Sequence, residues 1–180
     1  TITQGIGGTT RLSVLTIRAD DIALSATLRG QTINLYTGTP ATRAMVIGDS
    51  VGGAFSLSDA ELALLSGFST LVIGENGQQA ATITVRTATS PVGTAAIFVY
   101  ANSGAGGIVL DDQGTSTALA TGGSGNITLT AGTGGITSSS ATNGVAELST
   151  TGTVTLTSAN AIGSATNRIQ FPAGQANVTV

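Results

Sequence analysis

The chain has 180 residues and a formal net charge of −3, with no cysteine and no histidine, and all six of its basic residues are arginine. Hydrophobic residues make up 41% of it but charged residues only 8% and aromatics 3%, against roughly 25% charged residues in an ordinary globular domain. That balance argues against disorder, which goes with low hydrophobicity and high charge. It also argues against nucleic acid as a partner, because clustered cations supply most of that affinity.

The opening carries two strand-like phrases between Arg11 and Arg29, Leu12-Ser-Val-Leu-Thr-Ile17 and Asp21-Ile-Ala-Leu24. Neither has a close copy downstream. Residues 1–30 therefore read as an irregular first coil or cap, and residues 31–180 as repeat coils, of a single domain over 1–180. A short phrase of alternating β-formers ending in a small or polar turn then recurs: Ile33-Asn-Leu35, Val46-Ile-Gly48, Val72-Ile-Gly74 and Ile83-Thr-Val85. Ala44–Asp49 and Thr70–Glu75 correspond at a shift of 26 residues. Between them, Ser58-Asp-Ala-Glu-Leu-Ala-Leu-Leu-Ser66 is predicted to be helical. Ser58 can cap it, Glu61 completes a capping box and Gly67 can end it. Gly107-Ile-Val-Leu110 follows about one period after Ile83-Thr-Val85.

The C-terminal third repeats most clearly. Asn126-Ile-Thr-Leu-Thr130, Gly134-Gly-Ile136 and Val145-Ala-Glu-Leu148 are followed by Val154-Thr-Leu-Thr157, Ala161-Ile-Gly163 and Arg168-Ile-Gln-Phe171. The series begins again at Asn177-Val-Thr-Val180. Ile127 to Val154 is 27 residues and Val154 to Val178 is 24. Self-similarity at such a period signals a wound repeat architecture. Strands this short are unstable alone, but stacked on their copies they find main-chain partners above and below. The expectation is an all-β fold, a three-sided parallel β-helix with roughly 24–27 residues per coil and one short helix inserted near 58–66. Alternation points Ile127 and Leu129 inward and Thr128 outward. About seven coils at about 4.8 Å each would make a rod about 35 Å long. Pro40, Pro91 and Pro172 all fall between phrases. A β-sandwich or jelly roll would also show many short strands, with longer runs and larger core aromatics.

Inventory removes most catalytic chemistry. Without His or Cys there is no Ser-His-Asp triad, Cys-His pair or His-ligated zinc, and without Lys no Schiff base or P-loop. No catalytic, cofactor-binding or metal-ligating residue is assigned and no cofactor is expected. The candidates that remain each have a plainer reading. Asp20 and Asp21 beside Arg18 are the first suspects for a carbohydrate-active β-helix enzyme, but adjacent strand residues face opposite ways. Asp111-Asp112-Gln113-Gly114 resembles a calcium loop without the six to eight oxygens calcium takes, and Gly122-Gly-Ser-Gly125 departs from the calcium-roll nonapeptide. Gly104-Ala-Gly-Gly107 and Gly132-Thr-Gly-Gly135 suggest phosphate cradles but precede strands rather than helices. Asn126-Ile-Thr128 and Asn177-Val-Thr179 match the glycosylation pattern and lie in predicted strands. Thr128, Thr130, Thr155 and Thr157 form an ice-binding-like row that the first half does not continue. For a glycan-binding module, the outgrowths to consider are Ser58–Ser66 and Thr87–Thr94. No run reaches the roughly 18 apolar residues of a membrane span, and no basic, apolar leader opens the chain.

Gly125-Asn-Ile-Thr-Leu-Thr-Ala…Gly-Gly-Ile136 and Val154-Thr-Leu-Thr-Ser-Ala-Asn-Ala-Ile-Gly163 resemble repeats of filamentous-haemagglutinin-like surface proteins. Val46-Ile-Gly48…Phe55-Ser-Leu-Ser-Asp-Ala-Glu-Leu62…Leu71-Val-Ile-Gly74 is similar to a variant in very large exported bacterial β-strand-repeat proteins. The resemblance covers roughly residues 30–180. It implies a right-handed parallel β-helix, export to the Gram-negative cell surface, and roles in adhesion or biofilm, and it transfers no site residues. The expected function is a structural, non-enzymatic segment of an extracellular fibre or adhesin. Its expected partners are more coils of a longer chain or further copies stacked on open ends, with host or matrix glycans as ligands.

Overall fold

The structure is a computed structural model describing residues 1–49, 55–175 and 177–180. Strand β1 (Leu12–Ala19) pairs in parallel with β2 (Leu28–Thr37), Leu15 opposite Ile33 and Ile17 opposite Leu35. The chain turns into β3 (Met45–Gly48) and then β4 (Phe55–Leu57), which lies parallel to β3. One helical turn, α1 (Asp59–Leu62), leads to β5 (Leu65–Ser66), which pairs with the start of β2. Next, β6 (Thr70–Ile73) pairs with the middle of β2.

From β6 onward the path is regular. The chain runs through β7 (Ile83–Arg86), β8 (Ala88–Thr89), β9 (Ala96–Ala101), β10 (Gly107–Asp111), β11 (Leu119–Ala120) and β12 (Ile127–Ala131). It continues through β13 (Gly135–Ser138), β14 (Leu148–Ser149), β15 (Val154–Ser158) and β16 (Val178–Thr179). Among the described residues these strands form three parallel sheets. The first runs β1-β2-β6-β9-β12-β15-β16 with β5 beside β2, the second β13-β10-β7-β3-β4, and the third β14-β11-β8. The chain enters them in the same order each time. Where strands fade after β15 the order persists: Ile162 bridges Ile136 of the second sheet, and Glu147 N donates to Gln170 O beside the third.

The fold is therefore all-β with parallel sheets and one short helix, as the phrase pattern predicts. Ile127 stands opposite Val154 and Leu129 opposite Leu156. In the first sheet the paired positions Leu71, Ile97, Ile127, Val154 and Val178 are 26, 30, 27 and 24 residues apart. In the third sheet Ala88, Leu119 and Leu148 are 31 and 29 apart. The spacing thus exceeds the expected 24–27 wherever a connection lengthens. Parallel pairing leaves that freedom, because loops outside the ladder absorb extra residues without changing the register within it.

Two expectations need correction. Ala44–Asp49 and Thr70–Glu75 share wording but not a sheet: β3 belongs to the second and β6 to the first. A shift of 26 misleads here because β4, α1 and β5 occupy the interval, and Met45 stands between Phe55 and Ile83 in the second sheet. The helix near 58–66 is confined to Asp59–Leu62. Its capping box forms as predicted, with Ser58 Oγ accepting from Glu61 N and the Glu61 carboxylate accepting from Ser58 N. It ends early because Leu64 O accepts from Leu28 N, and Leu65 joins β2 as a buried strand residue.

The core is aliphatic and continuous along the stack. In the first sheet Leu15, Ile33, Leu71, Ile97, Ile127 and Val154 form one buried row. Leu35, Ile73, Val99, Leu129 and Leu156 form another. Met45, Ile83, Ile108 and Ile136 do the same in the second sheet. Gly74 makes the corner after β6. Its φ of 77° is left-handed, and a Cβ there would run into Tyr100 O and Ile83 Cδ1.

Candidate functional site

The structure disperses the enzyme-like candidates. Asp20 Oδ1 accepts from Thr39 N at 3.0 Å and Thr39 Oγ1 at 2.8 Å, so it ties the turn after β2. Asp21 Oδ1 accepts from the neighbouring Ile22 N at 2.9 Å. Arg18 leaves both and pairs with Glu75 at 2.6 Å, its guanidinium lying 5.3 Å from the Tyr36 ring centroid. Each of these three groups is engaged elsewhere, and they share no cleft.

Asp111 and Asp112 sit where β10 ends, and their neighbours use them fully. Asp111 Oδ2 accepts from Arg86 Nε at 2.7 Å, and Oδ1 from Ser139 Oγ at 2.8 Å. Asp112 is buried and accepts from Ser140 Oγ, from Gly114 N at 2.8 Å and from Asn143 Nδ2 at 2.8 Å. Burial pushes both carboxyls up. The hydrogen bonds outweigh it and hold both below the usual carboxylate range, from Ser139, Gln113 N and Arg86 for Asp111 and chiefly from Ser140 and Asn143 for Asp112. The partners come from the segments that carry the strands on either side of β10, so the cluster ties neighbouring strands together. Among the described residues, no group of three or more acidic side chains is placed to hold a metal ion.

The glycine-rich segments lead into strands, with Gly107 opening β10 and Gly135 opening β13. The amides of the second segment donate to the segment one period before it, Gly132 N to Ala101 O and Thr133 N to Gly104 O, whereas Gly106 N donates within its own turn to Ser103 O. Asn126 Oδ1 accepts from Thr153 N at 2.9 Å, so it ties the residues entering the paired strands β12 and β15. Asn177 is exposed immediately before β16. The two outgrowths considered for glycans are absorbed into the fold. Leu62 and Leu65 are buried, and Ala88 and Thr89 form a strand of the third sheet followed by buried Ser90.

Thr128 stands opposite Thr155 and Thr130 opposite Thr157, all facing outward as the alternation predicts. Traced toward the N-terminus, the Thr128 row passes through Phe98, Val72, Asn34 and Thr16. The Thr130 row passes through Tyr100 on β9, and Tyr36 faces out on β2 opposite Arg18. The outer face of the first sheet is thus hydroxyl-rich at one end and aromatic in its middle. Tyr36, Phe98 and Tyr100 are three of the chain's six aromatic residues, and each is partly exposed. The Phe98 and Tyr100 rings are 6.0 Å apart and within 14° of parallel. Sequence reasoning missed this patch. The signal was Ala96-Ile-Phe-Val-Tyr-Ala101: with Ile97 and Val99 matched to the inward rows, Phe98 and Tyr100 must face out. It also missed two buried polar groups. Glu147 accepts from Ser138 Oγ at 2.9 Å and from Gln170 N, and Gln79 holds Thr37, Arg43 O and Ala81 O.

Compared with protein-family models, with curated proteins and with solved structures, the chain matches none.

Proposed function

We propose that the chain is a structural, non-enzymatic segment of an extracellular bacterial fibre or adhesin, wound as a right-handed, three-sided parallel β-helix. One observation carries the reading: successive segments enter three parallel sheets in a fixed order, each in register with the segment one period before. Such a chain gains stability coil by coil and makes a stiff spacer. Its polar side chains support the same role. Asp111, Asp112, Asn126, Glu147 and Thr150 all spend their hydrogen bonds on neighbouring coils or on their own turns.

The strands at both ends of the first sheet carry exposed apolar side chains, Leu12 and Val14 on β1 and Val178 on β16, with Val180 just beyond. Val178 continues the inward row of Val154, so further coils of a longer chain, or a second copy stacked head to tail, would cover that end. Immunogold labelling tests the surface assignment: label on intact bacteria expressing the protein is expected, and label only after permeabilisation would contradict it. Electron microscopy of the purified chain at high concentration tests self-assembly. Filaments are expected if copies stack, and uniform short particles would leave continuation of the same chain as the cover.

A further inference from the structure

The aromatic patch on the outer face of the first sheet has no structural task comparable to that of the core. Phe55 and Phe68 are buried and fill the interior, whereas Tyr36, Phe98 and Tyr100 project from the opposite side of their sheet. Three of the six aromatic residues of the chain stand partly exposed on one face of one sheet, and rings gathered in that way mark a contact surface.

The chemistry around the rings defines what would fit. Tyr36 and Tyr100 project from strands separated only by β6, hence about 10 Å apart, and Gly74 follows β6 between them without a side chain. Val72 and Phe98 are neighbours in the adjacent row, and Thr128 and Thr130 continue the two rows. Asn34 lies on the other flank, its amide donating to Thr16 Oγ1 at 3.0 Å. Among the described residues, Arg18 on β1 and Glu75 after β6 are the charged side chains placed beside Tyr36, and they pair with each other at 2.6 Å. An anionic polymer would find no free cation here, and a basic peptide no free carboxylate. A second copy packed face to face would have to desolvate the threonine and asparagine rows, and its own rows would have to fall in matching register to replace the lost water. A sugar ring suits both parts of the surface, with its C–H face on an aromatic ring and its hydroxyls toward Thr and Asn.

We propose that this face binds a neutral polysaccharide chain lying across the strands, with one sugar ring packed on Tyr36, another on the stacked Phe98–Tyr100 pair of β9, and sugar hydroxyls meeting Thr128, Thr130 and Asn34. The near-parallel Phe98 and Tyr100 rings and the Arg18 guanidinium against Tyr36 hold the aromatic surface in place before ligand arrives, which limits the entropy lost on binding. The site does not depend on whether the chain belongs to a surface fibre.

The test is a titration of isotope-labelled protein with neutral hexasaccharides (β-1,4-glucan, α-1,4-glucan, xylan and mannan types) and with an oligogalacturonate, followed by NMR. At least one neutral probe should shift the amides of β9, of Tyr36 and of Thr128–Thr130, with affinity unchanged in about 0.5 M salt. Phe98→Ala and Tyr100→Ala should each weaken binding about tenfold, and Thr157→Ala should leave it within about twofold. Shift mapping on the unaltered protein stands alone if either aromatic variant fails to fold. Four outcomes would overturn the proposal: no binding of any neutral probe, shifts confined to the turns, preference for the oligogalacturonate that salt abolishes, or self-association through this face without sugar.

Discussion

Truncating Leu129 to alanine, compared with truncating its neighbour Thr128, separates an inward row from an outward one within a single strand. Leu129 is fully buried on β12 and stands between Val99 on β9 and Leu156 on β15. Leu→Ala at such sites costs about 2–5 kcal/mol. The upper half applies here, because the flanking positions are locked in parallel ladders and cannot collapse into the space. Thr128 faces outward and is only partly buried, between Phe98 and Thr155. Its loss removes a cross-strand contact of about 0.2–1 kcal/mol. Whole domains are stable by only about 5–15 kcal/mol, so Leu129→Ala should move a urea midpoint far and Thr128→Ala little. Circular dichroism and tyrosine fluorescence report the transition in a chain with no tryptophan. Equal losses for the two variants, or a larger loss for Thr128→Ala, would refute the assignment of faces.

Asp112→Ala should cost about 1–2 kcal/mol in the same assay, because the half-buried Ser140 hydroxyl and the Gly114 amide lose a charged acceptor, while the exposed Asn143 amide can turn to water. Stability should fall with acidification. The folded-state pKa values of Asp111 and Asp112 lie below their unfolded values, so their contribution is complete above about pH 4 and lost as pH drops through the folded values. Asp59, pushed up by burial and then by Asp49, works in the opposite sense. A pH series of urea midpoints in the Asp111→Asn/Asp112→Asn double variant should be flatter below pH 5 than that of the parent, by roughly the share these two groups supply. Gly74→Ala should destabilise by more than the roughly 1 kcal/mol of an ordinary left-handed glycine, since its methyl would meet the Tyr100 carbonyl; thermal unfolding within a degree of the parent would count against the corner geometry.

The fold was legible where wording and period coincide. Ile127, Val154 and Val178 announce their own pairing because each begins the same phrase at nearly the same interval. The middle was less legible. Met45 and Thr70 open similar phrases on different sheets, and the insertion of β4, α1 and β5 sets the true partners 38 residues apart. Strands of two residues such as β8, β11 and β14 leave no periodic signal; they exist only because their neighbours in the stack do. Of the polar groups, the capping box at Ser58 and Glu61 is a local pattern and was readable. The tie of Glu147 to Gln170 spans 23 residues and follows only from coil geometry. The aromatic face lay between these cases. Each of Tyr36, Phe98 and Tyr100 reads as an ordinary strand residue, and their gathering on one surface appears only once the rows are aligned.

Stacking one coil per strand spacing is the central claim, and spin-label distances along one outward row test it most directly. With no native cysteine, labels placed by Val72→Cys, Asn34→Cys or Thr16→Cys, each paired with Thr155→Cys, report single distances. These positions lie three, four and five strand spacings from Thr155 in the first sheet. The account predicts Cα separations of about 14, 19 and 24 Å, rising linearly by about 4.8 Å per strand. Distances that fail to rise in that order, or that fold back toward one another as in a two-layer sandwich, would contradict it.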